Sequence, residues 1–137
     1  MKVLDLFIKI WFFVPLLTSN TLFAEDKLSR LRPPNRIECT RDHLTNYTGK
    51  VVEYQRKMGQ TRLFIATDWG TLEAVRLAHP GSADPSTWFL IEGKAFAQSD
   101  WERVEIAPGQ LRKEVRATAW VCDDGRPPVI DWLAPRE

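Results

Sequence analysis

From Thr48 to Cys122 the chain is a succession of short alternating runs cut by tight turns, and no helical period of useful length interrupts it. Val52 and Tyr54 alternate with Glu53 and Gln55 across 50–56, and Leu63 and Ile65 alternate with Arg62, Phe64 and Ala66 across 61–67. Val75 and Leu77 alternate with Leu72, Ala74 and Arg76 across 71–77. A period of two is the signature of strands with one face buried. The breaks carry turn chemistry: Met58-Gly59, then Asp68-Trp69-Gly70, then a 79–87 loop holding Pro80, Gly81, Asp84 and Pro85. Further strands are predicted over 88–96, bulged at Gly93, then over 103–106 and 111–122, with an apolar return over 129–132 that pairs at an edge or covers one end. Strands this short, joined this tightly, predict an all-β domain: a small barrel of five to seven strands. Its expected core is Val52, Leu63, Ile65, Val75, Leu77, Phe89, Ile91, Val115, Ala117 and Ala119. The barrel is expected over 48–137, after an extended lead-in over 25–47 that contains Pro33-Pro34 and at most one helical turn near Arg41.

The stretch TGKVVEYQRKMGQTRLFIATDWGTLEAVRL followed by WFLIEGKAF resembles the OB-fold. It has a glycine-led first strand, a glycine hairpin, a third strand, a crossover and a strand with an internal glycine. The resemblance covers about 48–122 and is one of fold, without a family motif. It implies a ligand face on the outer side of the second and third strands.

Residues 1–24 have the layout of a secretory signal: Lys2, a 12-residue apolar stretch over 6–17 broken only by Lys9, a polar Thr18-Ser19-Asn20-Thr21 segment and Ala24 before the expected cut. As a helix that stretch spans about 18 Å, short of the ~30 Å hydrocarbon core, so no stable membrane span is expected. The expected location is periplasmic or secreted. There, Cys39 and Cys122 are expected to pair in one disulfide. A Cys2His2 metal set would need both cysteines and both histidines of the chain, His43 and His79, and is disfavoured. Removing 1–24 takes two lysines and one aspartate from 19 basic and 18 acidic residues, which leaves 17 of each. Phosphate binding usually rests on a basic excess, so nucleic acid is an unlikely partner.

Alternation that turns Leu63, Ile65, Val75 and Leu77 inward turns Arg62, Phe64 and Arg76 outward together. Arg56 at the first hairpin and Trp69 at the tip of the second are expected to extend that patch. Cationic groups around aromatics suit a protein, peptide or glycan. Asp-Trp occurs three times, at 68–69, 100–101 and 131–132. An internal duplication of a hairpin would explain the repeat; its two readings are turn entry with a packed indole, and an aromatic platform for a glycan or peptide. The sequence carries no Gly-x-Ser-x-Gly elbow, His-Glu-x-x-His or phosphate loop, so no catalytic role and no cofactor are expected. The expected function is therefore an exported, non-catalytic binding module. A second possibility is a secreted hydrolase inhibitor presenting the proline-stiffened 79–87 loop, and a third an OB-type nucleic-acid binder.

Overall fold

The computed structural model describes residues 32–136 apart from 82. The expected signal segment and the first part of the lead-in lie outside the described residues. The domain is built of strands: β1 (Leu44–Lys57), β2 (Gln60–Thr67), β3 (Leu72–Ala78), β4 (Phe89–Ile91), β5 (Lys94–Ala95), β6 (Glu105–Ala107), β7 (Gln110–Leu111), β8 (Arg116–Cys122) and β9 (Val129–Leu133). One short helix, α1 (Trp101–Val104), follows a 3-10 turn at Gln98–Asp100. Seven strands form a sheet in the order β3-β2-β1-β8-β9-β4-β5, and β6-β7 make a separate ribbon. All neighbours are antiparallel except β4 and β9, which run parallel.

β1 is the longest strand and serves two partners. Its first half pairs with β8, from Leu44↔Cys122 to Lys50↔Arg116. Its second half pairs with β2, from Gly49↔Thr67 to Lys57↔Gln60. Gly49 lies in both ladders, and a Cβ there would sit 2.0 Å from the carbonyl oxygen of Ala66. Only glycine allows so close a backbone approach.

Just beyond it the β1–β2 register shifts between Val51 and Glu53. This bulge corrects one expected core position. Val52 is the extra residue and is 53% exposed, while Val51 turns inward at 7%. An inserted residue reverses the face of everything before it, which strict alternation cannot anticipate. Val51→Ala should cost about 2 kcal/mol, from lost burial and the cavity left behind. Val52→Ala should stay within about 0.5 kcal/mol. Urea unfolding of the two variants separates them, and equal effects would mean that the bulge is misplaced.

The other nine expected core residues are buried. Leu63, Ile65, Val75 and Leu77 join Phe89, Ile91, Val115, Ala117, Ala119, Ile130, Trp132, Phe96, Trp101 and Val104 in one cluster. It draws on both ends of the sheet. Ala117 faces Trp132 across the β8–β9 ladder, and Ala119 faces Ile130, so small residues on one strand admit large ones on the next. Phe89 stacks on Trp132 at 6.4 Å and meets Trp101 edge-on at 5.1 Å.

Several expected boundaries change. The strand expected over 88–96 is a hairpin, because Glu92 and Gly93 both take positive φ (50° and 78°) and make a two-residue turn where a bulge was expected. The strand expected over 103–106 is divided between α1 and β6, and that over 111–122 between β7 and β8. The domain's first strand begins at Leu44 and not at 48, and a 3-10 turn at Arg41–His43 precedes it. The return over 129–132 neither sits at an edge nor covers an end: β9 is an interior strand between β8 and β4. Cys39 and Cys122 are joined, tying the lead-in to the end of β8. Among the described residues no helix is long and apolar enough to cross a membrane.

Candidate functional site

The outer face of β1–β2–β3 is set by the same ladders that set the core. Arg62 stands directly opposite Arg76, Phe64 opposite Ala74, and Ala66 opposite Leu72. On the other side Gln55 faces Arg62 and Glu53 faces Phe64. Arg62 and Arg76 are both exposed, and among the described residues neither forms an ion pair. Phe64 is half-buried between them and the hairpin tip. Trp69, at that tip, is 78% exposed, and Leu72 at the start of β3 is 62% exposed. The tip is held from below: the amide of Thr67 donates to the carbonyl of Thr71 at 2.8 Å, the two threonine hydroxyls meet at 2.7 Å, and Gly70 turns the chain at φ 86°. Asp68 pairs with Arg116 at 2.6 Å and anchors the tip to β8. A rigid base under an exposed indole limits the ordering cost of any contact it makes.

Three of the five expected site residues, Arg62, Phe64 and Arg76, thus lie on one side of the sheet, and Trp69 stands exposed at the hairpin tip. Arg56 does not join them, and this corrects the expected patch. Its strand partner is the buried Thr61, so it shares the inward face with Tyr54. Its guanidinium donates to both carboxylate oxygens of Glu105, at 3.0 and 2.5 Å, and lies 4.0 Å over the ring of Trp101. The Glu105 side chain is only 3% exposed. It also accepts from the Tyr54 hydroxyl at 2.7 Å and from the Gly109 amide at 2.9 Å. The carboxylate keeps Arg56 protonated beyond its ordinary range, and burial together with Glu105 pushes the Tyr54 phenol up. Four donors meeting one carboxylate make a closed structural cluster. Sequence reading missed Glu105, since nothing in RVEIA marks its glutamate as the inward one. Leu72 was missed as a site residue because an isolated outward leucine is ordinary on any strand. Only its position beside Trp69 gives it weight.

The three Asp-Trp pairs prove unrelated. Asp68-Trp69 is a hairpin tip, whereas Asp100-Trp101 opens α1, where Asp100 accepts from the Ala97 amide at 2.8 Å and Trp101 is packed. Asp131-Trp132 lies inside β9, with Asp131 accepting from the Gly93 amide at 3.0 Å and Trp132 fully buried. They are not copies of one hairpin.

At the loop end of the sheet, His79 accepts or donates a 2.8 Å bond to the buried Thr61 hydroxyl and packs near Trp88 and Phe89. Burial, and then the charge of Arg56, hold its pKa below the ordinary histidine value. The folded state therefore binds fewer protons here than the unfolded one, so this contribution to stability is complete above about pH 6.5 and is lost as pH falls beneath it. His43 acts in the opposite sense. Its hydrogen bond to Asp123 at 2.8 Å raises its pKa, so its small exposed contribution is complete at low pH and fades as pH rises. His79→Gln should flatten the decline in melting temperature between pH 7 and 5, and an unchanged decline would place the acid sensitivity elsewhere.

The chain matches no family model, no curated protein sequence and no solved structure.

Proposed function

We propose that this chain is an exported, non-catalytic binding module of the periplasm or extracellular space, engaging a protein, peptide or glycan through Arg62, Phe64, Trp69 and Arg76. The observation that carries the reading is the opposition of Arg62 and Arg76. Like charges placed directly across a ladder destabilise a sheet. Here the pair is exposed and forms no ion pair among the described residues, and it shares its face with Phe64, while the exposed Trp69 stands at the far end of the hairpin. An anionic or polar group seated between the two guanidinium ions relieves that repulsion, and arginine with tryptophan is the composition of binding hot spots. Export is supported by the leader-like 1–24 and by the Cys39–Cys122 bond.

An OB-like barrel is part of the same proposal. β1 sits between β2 and β8, β8 pairs with β9, and β9 runs parallel to β4. If β3 and β4 are taken as one third strand interrupted by the 79–87 loop, the ladders β1–β2, β2–β3, β4–β9, β9–β8 and β8–β1 follow an OB-like order, with α1 in the crossover before the fourth strand. The outer face of the second and third strands is where such barrels hold ligands.

The test is capture of partners from the native compartment by the wild-type chain and by Trp69→Ala and Arg62→Ala. Both variants should lose capture while keeping the wild-type melting temperature, because neither side chain supports the core. Capture should weaken only modestly from low to physiological salt, because two arginines and aromatic contacts are involved, whereas binding that neutralises many phosphates falls steeply. Undiminished capture by both variants moves the site to the 79–87 loop, the inhibitor reading. One observation favours that loop as a rigid element: Arg36 donates to the carbonyls of Ser86 and Thr87, and Asp84 caps the Ser86 amide.

A further inference from the structure

β3 ends the seven-stranded sheet and pairs only with β2 among the described residues. Its seven residues form an unbroken register with β2, without a bulge, proline or lysine. Proteins blunt a free edge with such devices or with charged side chains, because alternate N–H and C=O groups along it will accept another strand; β3 carries only two charges, Glu73 opposite the buried Ile65 and the outward Arg76. The outward row along this edge is Leu72, Ala74 and Arg76, all exposed, and Ala74 leaves room beside the middle of the strand. The row therefore reads apolar, small, cationic, with Trp69 beyond Leu72 and Arg62 beside Arg76.

We infer that β3 takes up an extended acidic peptide segment of a partner protein as an added strand. The inference rests on the reading of this face as the binding site and narrows its ligand. Strand period places residues two and four apart on one face. A segment lying along β3 then sets a carboxylate against Arg76 and Arg62, and an apolar side chain four residues away against Leu72 and Trp69. Backbone bonds to the free edge supply affinity, and the two side-chain positions supply selectivity. A second copy of this chain fits poorly. Two β3 strands related by a two-fold axis would set Leu72 against Arg76 and bring no carboxylate to the row. A glycan has no alternating amide ladder to offer the edge.

The probes are labelled, end-blocked heptapeptides Thr-Glu-Thr-Val-Thr-Leu-Thr and Thr-Leu-Thr-Val-Thr-Glu-Thr, which cover both strand directions, titrated against the disulfide-bonded chain by fluorescence anisotropy. At least one should saturate, and replacing its Glu by Lys should weaken it roughly tenfold or more. Arg76→Glu should reverse that preference, and since Arg76 is exposed the variant is expected to fold, which its melting curve verifies. N-methylation of the amides along one edge of the peptide should abolish binding, and along the other edge should spare it. If neither heptapeptide binds at millimolar concentration, or if both methylated forms bind like the parent, strand addition is overturned. The broader reading of the face fails on a different result, the undiminished capture of native partners by Trp69→Ala and Arg62→Ala.

Discussion

Replacing Cys39 and Cys122 together by serine is expected to cost roughly 4–5 kcal/mol of stability, the chain-entropy value for a loop this long. The bond closes 83 residues, which include β1 to β7 and nearly all of β8. Cys122 is buried and sits opposite Leu44, where the β1–β8 ladder begins. The bond therefore fixes the outermost rung of a long-range ladder, and its loss enlarges the unfolded ensemble more than it disturbs the fold. Urea unfolding of the oxidised chain and the double variant measures the difference. A change under about 1 kcal/mol would show that the unfolded chain is already compact enough to make the tether redundant.

Glu105→Ala is expected to cost about 3–5 kcal/mol, the range for breaking a buried ion pair from one side. The substitution leaves the Arg56 guanidinium half-buried over Trp101 with no carboxylate, and strands the Tyr54 hydroxyl and the Gly109 amide. The damage should be largely in the orphaned charge. Arg56→Met in the Glu105→Ala background should therefore recover part of the loss, since an apolar stem can still cover Trp101. If the double variant is less stable than the single one by the full worth of a second independent site, the cluster does not act as a unit.

What could be read in the sequence follows the physics of each element. Tight turns and alternation are local, so β1 to β3, their two hairpins and nine of ten core residues were legible from residue types alone. The outward set of Arg62, Phe64 and Arg76 was legible for the same reason, being the complement of Leu63, Ile65, Val75 and Leu77. Three features were not. The bulge at Val52 leaves no compositional mark, because valine suits either face. Arg56 was expected to extend the patch from the first hairpin, yet its guanidinium is held by Glu105, 49 residues away. β9 has the length and composition of a terminal flap, and only its long-range pairing with β8 and β4 makes it central.

That central place has a consequence for how the protein comes into being. Among the described residues β9 follows every other strand in chain order, yet it divides β8 from β4. During synthesis or passage through a pore, everything before Val129 can form hairpins, but the ladder joining the two halves must wait. Until then β8 and β4 each show an unpaired edge, and a parallel ladder formed late between distant segments is a slow event. The sheet described here can close only after β9 emerges, so the interval before β9 arrives is the period of greatest exposure to aggregation and proteases.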